Sequence, residues 1–471
     1  MVLCLTFYCK SSIIVIVYTF KEIKMHIQLS DHFTYKKLLR FAFPSIIMMI
    51  FTSIYGVVDG IFVSNFVGQS QFAAINLIMP FLMICGAIGF MIGTGGSALV
   101  SKTLGEGEND RAKSLFSMLI YLTIGFAVII AVIAIIFLRP ISIFLGAKGE
   151  MIDYCVTYGR FILPALPAFM LMNIFQSFLI TAEKPKLGLF VTVAAGCTNM
   201  VLDALFVAAF GWGLEGAAIA TAASQIVGGV IPFVYFLRPC KAVLHLVRFR
   251  FDGMALLRTC TNGSSEFVTN ISLSVVNMLY NFQLMKLVGE SGVSAYGVIM
   301  YISFIFIAVF IGYALSVTPI IGYHYGAGNF DELKNLFKKS LVIIFVFALV
   351  LTALAEVGAR PLSLIFVGYD KALLNMTVRA LMLYSISYLI CGFNIFGSAF
   401  FTALNDGPVS AAISFLRTLV FQIASLLVIP AILPAEYKLD GIWLAVVAAE
   451  ALSLVVTVAF IILKRKKYKY M

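Results

Sequence analysis

Charged residues are scarce in this chain, because Asp, Glu, Lys and Arg together occupy only 12% of its 471 positions. A soluble domain of ordinary composition carries roughly a quarter charged residues. Hydrophobic residues make up 62% of the chain, and its mean hydropathy is +1.03. This composition excludes a water-soluble fold and predicts an integral membrane protein.

Residues that usually build metal or catalytic sites are also few. The eight cysteines form no CxxC pair, and the four histidines fall in terminal or loop segments without clustering. Most cysteines lie within or beside apolar runs, where they pack as small buried residues. The sequence has no HExxH motif, phosphate-binding loop or nucleophile with a base nearby. We therefore expect no cofactor, no structural metal site and no enzymatic activity.

Long apolar runs dominate the chain instead. A helix that crosses the hydrocarbon core needs about 20 apolar residues, whereas barrel strands alternate polar and apolar residues over roughly ten positions. The runs therefore predict an all-α membrane protein with twelve transmembrane helices, numbered here as spans 1 to 12. The predicted spans are 41–66, 72–99, 116–138, 155–180, 188–210, 214–237, 263–287, 293–321, 340–358, 376–401, 409–431 and 440–463.

Basic residues outnumber acidic ones and give a net charge of +11, which in isolation could indicate nucleic-acid binding. Most of them lie in short gaps between the apolar runs, where basic residues keep a loop on the cytoplasmic side. Because the number of spans is even, both termini are expected on one side of the membrane, and the basic loops place that side in the cytoplasm. Since the basic residues are explained by this orientation, no nucleic-acid partner is expected. The predicted regions are a cytoplasmic leader at 1–40, a first lobe at 41–237, a cytoplasmic linker at 238–262, a second lobe at 263–463 and a basic cytoplasmic tail at 464–471.

The leader has an unusual beginning. Its apolar run from Ser12 to Phe20 is too short to span a membrane, and a signal-peptide core is one interpretation. We favour another, in which the protein starts at Met25 and residues 1–24 belong to an over-long gene prediction.

An internal repeat relates the two halves of the chain. Because each unit contains six spans, an even number, the two copies share one orientation and an axis along the membrane normal, which is typical of transporters with a substrate path between the halves. A duplicated membrane scaffold without transport is the alternative. A shift of 221 residues aligns Gly105, Gly107 and Asp110 with Gly326, Gly328 and Asp331, Arg139-Pro140 with Arg360-Pro361, and Asn173-Ile174-Phe175 with Asn394-Ile395-Phe396.

Ionisable residues inside the hydrocarbon are costly and mark candidate functional sites. Asp59 in span 1 and Asp203 in span 5 both lie about 10–13 Å below the outer face at 1.5 Å per residue. Asn199 precedes Asp203 by one turn, and Thr221 in span 6 is about 12 Å deep. Such oxygen ligands suit an alkali cation, and the same carboxylates could instead take protons. The structural alternative is that each Asp only bonds neighbouring hydroxyls or a helix backbone.

The second half does not repeat this pattern. The shift places Tyr280 opposite Asp59, and no acid corresponds to Asp203, so the sequence predicts a coupling-ion site in the first lobe alone. Glu266 lies near the predicted start of span 7, where an interfacial position is one interpretation.

Polar and aromatic residues of both halves are predicted to line a central cavity. Arg417 has two further interpretations, since it could pair with Glu266 or Glu450 or extend its charge towards the interface. The thioethers of 19 methionines would let such a cavity adapt to varied ligands. The candidate lining residues are Asn173, Gln176, Gln225, Asn277, Tyr280, Asn281, Asn394, Arg417 and Glu450.

From about Phe41 to Lys464 the sequence resembles the multidrug and toxic compound extrusion (MATE) family, most closely its bacterial branch. The matching motifs are Phe43-Pro44-Ser45, Val58-Asp59-Gly60-Ile61-Phe62-Val63-Ser64, Gly105-Glu106-Gly107, Asn199 to Asp203, Gly213-Leu214-Glu215-Gly216 with Thr221, and Leu439-Asp440-Gly441-Ile442-Trp443.

This resemblance implies a V-shaped pair of six-helix lobes that exports lipophilic, often cationic small molecules against inward flow of sodium ions or protons. It also implies a coupling-ion site at Asp59, Asn199, Asp203 and Thr221, and a bending point at Pro44, where proline removes a backbone hydrogen bond. Members with a second-lobe ion site carry an acid deeper in span 7 than the predicted position of Glu266. A functional monomer in the bacterial plasma membrane, in contact with membrane lipids, is the expected state.

Two other functions compete with efflux. A flippase for lipid-linked or polysaccharide substrates, from the wider superfamily, predicts more basic residues facing the cavity, where Arg417 alone is a candidate. A receptor-like scaffold would need no buried acids, so Asp59 and Asp203 argue against it.

Overall fold

The computed structural model describes residues 27–238 and 243–471, in which the chain is helical without a β-strand. By length and composition, eleven helices in these residues can cross a membrane, and a bent pair makes a twelfth. The all-α membrane fold predicted from the apolar runs is therefore confirmed. The expectation about Met25 and residues 1–24 lies outside the described residues.

The first lobe contains spans 1 to 6, with a short helix, Leu138–Phe144, after span 3. Span 4 is interrupted by a 3₁₀ turn at Leu163–Ala165, where Pro164 and Pro167 cannot donate backbone hydrogen bonds. The spans are Tyr35–Phe66, Ser70–Gly105, Asn109–Ile136, Glu150–Thr181, Pro185–Ala209 and Gly213–Leu237.

The second lobe contains spans 7 to 12. Its span 10 is the bent pair, with 47° between Lys371–Ser385 and Tyr388–Ala403. The remaining spans are Gly253–Val288, Glu290–Gly326, Phe330–Val367, Gly407–Ile432 and Ala435–Tyr468.

Span 7 begins ten residues before its predicted boundary at 263. The Asp252 side chain accepts a hydrogen bond from the Ala255 backbone N–H at 3.0 Å and caps the helix there. The last ten residues of the predicted linker are therefore helical. They were missed because this first stretch carries polar residues and extends beyond the apolar run.

The predicted basic tail is also more ordered than a free cytoplasmic segment. Span 12 continues to Tyr468, whose hydroxyl donates to the Asp406 carboxylate at 2.6 Å. Tyr470 is fully buried against Phe337 and Phe400. Burial of these two aromatic rings fixes the C-terminus on the second lobe.

The two lobes meet most closely where spans 2 and 7 cross. Gly95 of span 2 lies against the Thr259 carbonyl, and Gly263 of span 7 lies against the Met91 carbonyl, so closely that an added Cβ at either glycine would overlap that oxygen. Only glycine allows two helix backbones to approach this closely.

Residues 27–34, named here the N-terminal strap, connect the lobes at the end that carries both termini. The Leu29 N–H donates to Glu183 of the first lobe at 2.7 Å, and the Phe33 N–H donates to Glu332 of span 9 at 2.9 Å. His32 Nδ1 lies 2.5 Å from the second oxygen of Glu332. Leu29 and Phe33 are both buried. The strap therefore joins both lobes at this end through buried contacts.

Replacing Glu332 with Ala is expected to reduce the free energy of unfolding by about 1–3 kcal/mol, because the buried Phe33 N–H loses its acceptor and the Asn335 amide loses one of its two acceptors. Thermal unfolding of the purified protein in detergent measures this change. Glu108→Ala is the matched control, since the exposed Glu108–Arg111 pair at the same end contributes little. Equal melting temperatures of the two variants would contradict a stabilising role of the strap.

Candidate coupling-ion site

Asp59, Asn199 and Asp203 lie together in the first lobe. The Asn199 Nδ2 group donates to Asp59 Oδ1 at 3.4 Å. The carboxyl groups of Asp59 and Asp203 lie close enough to interact electrostatically. The residues predicted to lie at one depth in the membrane are thus also close together within the lobe.

The residues of the site differ in their exposure to solvent. Asp203 and Asn199 are buried, whereas Asp59 and Thr221 are half-buried. Neither carboxylate oxygen of Asp203 has a hydrogen-bond donor within the described part of the chain, and the same holds for Asn199 Oδ1. Buried acceptors without donors cost free energy, and two adjacent carboxylates repel each other. A proton or a bound cation would relieve both effects.

A π-helical turn at Asp203–Ala209 begins at the buried acid. Such wide turns are rare and occur often at functional sites. Span 11 of the second lobe has a similar turn at Leu416–Val420, which contains Arg417. In both lobes the fifth span therefore carries a charged residue at an irregular turn.

Tyr158 of span 4 was not predicted as part of this site. It is almost completely buried, and its hydroxyl lies near Thr221 and in the electrostatic field of Asp59 and Asp203. Tyr158 lies eight residues into span 4, or about 12 Å from the end opposite the termini. The predicted start at 155 would have placed this hydroxyl only about 5 Å deep, so its depth follows from the earlier start of the helix.

The second lobe carries a buried ion pair instead of paired acids. Arg417 Nε donates to both carboxylate oxygens of Glu450, at 2.9 and 3.0 Å. The Asn394 amide donates to Glu450 at 2.7 Å, and Thr457 donates to Asn394 at 3.0 Å. Of the interpretations of Arg417, the structure shows pairing with Glu450.

Glu266 is not at the start of its helix, because span 7 begins at Gly253. It lies near the middle of that helix, half-buried, and in the field of Arg417. The helix therefore begins earlier than predicted, and an interfacial position of Glu266 stays a prediction.

The predicted cavity-lining residues differ in their surroundings. Asn173 and Asn394 are 2% and 0% exposed, and Asn173 donates to the Gly86 carbonyl at 3.1 Å. Both amides therefore join helices, which differs from the predicted lining role. Gln176 and Gln225 are buried, Asn277 accepts from Tyr296, Tyr280 stacks on Tyr296 at 4.8 Å, and Asn281 is exposed.

Pro44 lies inside span 1, which is one continuous helix. Gly312 of span 8 packs against the neighbouring backbone at Ser45 and Ile46. Pro44 therefore lies where a helix of the first lobe contacts a helix of the second lobe. Bending there remains a prediction.

Comparison with characterised proteins gives consistent matches along the chain. The multidrug export protein MepA of Staphylococcus saprophyticus is 25% identical over 366 residues, covering 76% of this chain and 80% of the relative. MepA of Staphylococcus aureus is 22% identical over 437 residues, covering 92% of this chain and 94% of the relative.

Solved structures share the fold. A MATE protein in complex with MaL6 superposes with a TM-score of 0.88 at 22% identity, covering 95% of this chain and all of that one. An outward-facing multidrug resistance MATE family transporter superposes with a TM-score of 0.87 at 22% identity, covering 96% of this chain and all of that one.

The sequence profile of the MatE family matches residues 44–205 and 267–427. The first segment runs from span 1 to span 5, and the second runs from span 7 to span 11, so each covers most of one lobe. Because these segments make up more than half of the sequence, the chain belongs to the MatE family.

Proposed function

We propose that this protein is a secondary active multidrug exporter, in which inward movement of Na⁺ or H⁺ drives the export of lipophilic, often cationic compounds. The coupling ion binds at Asp59, Asn199, Asp203 and Thr221. The proposed orientation has both termini in the cytoplasm of a bacterial cell, because the loops at that end carry most of the basic residues.

The observation that carries this proposal is the buried Asp203 carboxylate, which faces Asp59 and has no donor among the described residues. Half-buried Asp59 gives an ion access to the buried acid behind it. Binding of one positive charge reduces the repulsion between the carboxylates, so occupied and empty sites differ in electrostatic energy. A difference of this kind allows ion binding to shift the equilibrium between two conformations of a transporter.

The multidrug part of the proposal follows from the relatives, which are named multidrug export proteins. The flippase alternative required basic groups free to bind pyrophosphate. Arg417, its single candidate, is held by the carboxylate of Glu450. This pairing favours export of cationic or neutral compounds over recognition of a phosphorylated lipid.

Uptake of a cationic dye into everted vesicles, in which the cytoplasmic face is outside, tests the proposal directly. A sodium gradient at equal pH and a proton gradient without sodium, each with the ion concentrated in the vesicle lumen, are imposed separately, and at least one is expected to drive dye uptake. Dye movement under neither gradient would contradict cation antiport. If the vesicles instead translocate a lipid-linked pyrophosphate, the flippase alternative holds.

Replacing Tyr158 with Phe is expected to weaken apparent affinity for the coupling ion by about three- to tenfold, since one hydroxyl beside a charged site contributes about 1 kcal/mol. The maximal efflux rate should change little at saturating ion. Tyr154→Phe, one turn earlier in the same span, is the matched control. Equal effects of both variants on ion affinity would remove Tyr158 from the site.

A further inference from the structure

Span 9 presents a stripe of exposed apolar residues to the lipid. Val346, Val350, Val357 and Leu364 recur at helical spacing and are each at least 46% exposed. Arg360 lies in the same stripe, one turn from Val357 and one turn from Leu364, and is also exposed. A positive charge therefore interrupts a face that otherwise contacts lipid.

Comparison of the two repeats shows that Arg360 lacks the acidic partner of its counterpart. Its counterpart in the first lobe, Arg139, pairs with Asp153 at 3.1 Å. The shift of 221 residues that aligns the two arginines places Leu374 opposite Asp153. Within residues 27–238 and 243–471, no carboxylate forms an ion pair with Arg360.

The acids near Arg360 have other partners. Glu356, one turn earlier in span 9, accepts a hydrogen bond from Ser385 at 2.7 Å. Asp440 accepts from Arg379 Nε at 2.9 Å and also pairs with the terminal nitrogen of that guanidinium. The charge of Arg360 is therefore available to a ligand.

Arg360 lines a groove of about 290 Å³ between span 9 and the first half of span 10. It lies seven residues before the end of span 9 at Val367, towards the side opposite the termini. The groove has both polar and apolar lining residues. Its lining residues are Arg360, Asn375, Val378, Arg379, Met382 and Leu383.

We propose that this groove binds an anionic phospholipid of the leaflet opposite the termini. The Arg360 guanidinium donates to the lipid phosphate, and Asn375 faces the glycerol headgroup. An acyl chain lies along Val378, Met382 and Leu383. Charge selects the lipid, because guanidinium groups bind phosphate strongly, and Arg360 has no carboxylate partner among the described residues that would attract the quaternary ammonium of a zwitterionic headgroup.

Binding of short-chain phosphatidylglycerol to the full-length protein in detergent tests the site, with native mass spectrometry or thermal stabilisation as the readout. Phosphatidylcholine of equal chain length and soluble glycerol phosphate are the comparison ligands. Arg360→Gln is expected to weaken phosphatidylglycerol binding by at least about fivefold. Met382→Trp, which fills part of the groove, should weaken it as well.

Arg139→Gln is the matched control, since it removes the same charge at the equivalent place in the first lobe and should leave lipid binding unchanged. Arg360→Lys should retain part of the binding if the Gln variant folds poorly. Equal binding by wild type and Arg360→Gln, or equal losses in Arg360→Gln and Arg139→Gln, would overturn the proposal. Stabilisation by glycerol phosphate equal to that by phosphatidylglycerol would show a free-phosphate site and overturn the lipid assignment.

Discussion

Asp203→Asn is expected to abolish ion-driven efflux of a cationic dye while leaving the protein folded. The amide has nearly the same shape as the carboxylate, but it carries no charge with which to bind a cation or to accept a proton. Loss of one partner of a buried charge interaction costs at least about 2 kcal/mol, so efflux should fall by about thirtyfold or more. Asp59→Asn should have a similar effect, because its carboxyl group lies beside that of Asp203 in the proposed site.

Asp153→Asn is the control for these variants. Asp153 is exposed in a pair with Arg139 at the end of the first lobe opposite the termini and lies outside the site. Ion-driven dye uptake into everted vesicles, which reports efflux, is compared at equal amounts of folded protein, which thermal unfolding verifies. Undiminished efflux in both Asp59→Asn and Asp203→Asn would eliminate the first-lobe coupling hypothesis.

Much of this site was predictable because a helix has a fixed rise. Counting residues from the predicted span ends placed Asp59, Asp203 and Thr221 at one depth, and the structure shows the two acids side by side. Tyr158 was missed because the predicted start of span 4 at 155 placed it only about 5 Å deep, whereas the helix begins at Glu150 and sets it about 12 Å deep. The acidic residues of its first turn lie outside the apolar run that defined the predicted span.

Other features were not accessible from the sequence because they depend on lateral neighbours. Hydrophobic runs give the length of a helix but not which helices touch, so Arg417 had three interpretations until Glu450 was seen beside it. Similarly, the strap residues Leu29 and Phe33 were part of an apparent leader, and their burial follows from contacts with Glu183 and Glu332 far along the chain.

The π turn at Asp203 shows a further limit of sequence reasoning. Its residues, Asp203–Ala209, have the composition of an ordinary apolar helix. The wide turn depends on how neighbouring helices pack, and periodicity carries no signal for a single inserted residue.

Arg417→Met is expected to cause the largest loss of stability, about 3–5 kcal/mol in the free energy of unfolding, because it leaves a buried carboxylate without its cation. The Glu450 side chain is only 4% exposed, and Asn394 would be its remaining side-chain donor. The double variant Arg417→Met/Glu450→Gln should recover most of this loss, since two neutral side chains leave no uncompensated charge. Thermal unfolding in detergent measures both effects.

Arg379→Met is the matched control, because Arg379 pairs with Asp440 at an exposed position and its loss should change stability little. If Arg417→Met and Arg379→Met melt alike, the buried pair does not stabilise the second lobe.

The double variant also tests where coupling occurs. If the coupling ion binds only in the first lobe, the folded double variant should retain ion-driven efflux, and a loss of efflux there would instead make Glu450 or Arg417 part of the transport cycle.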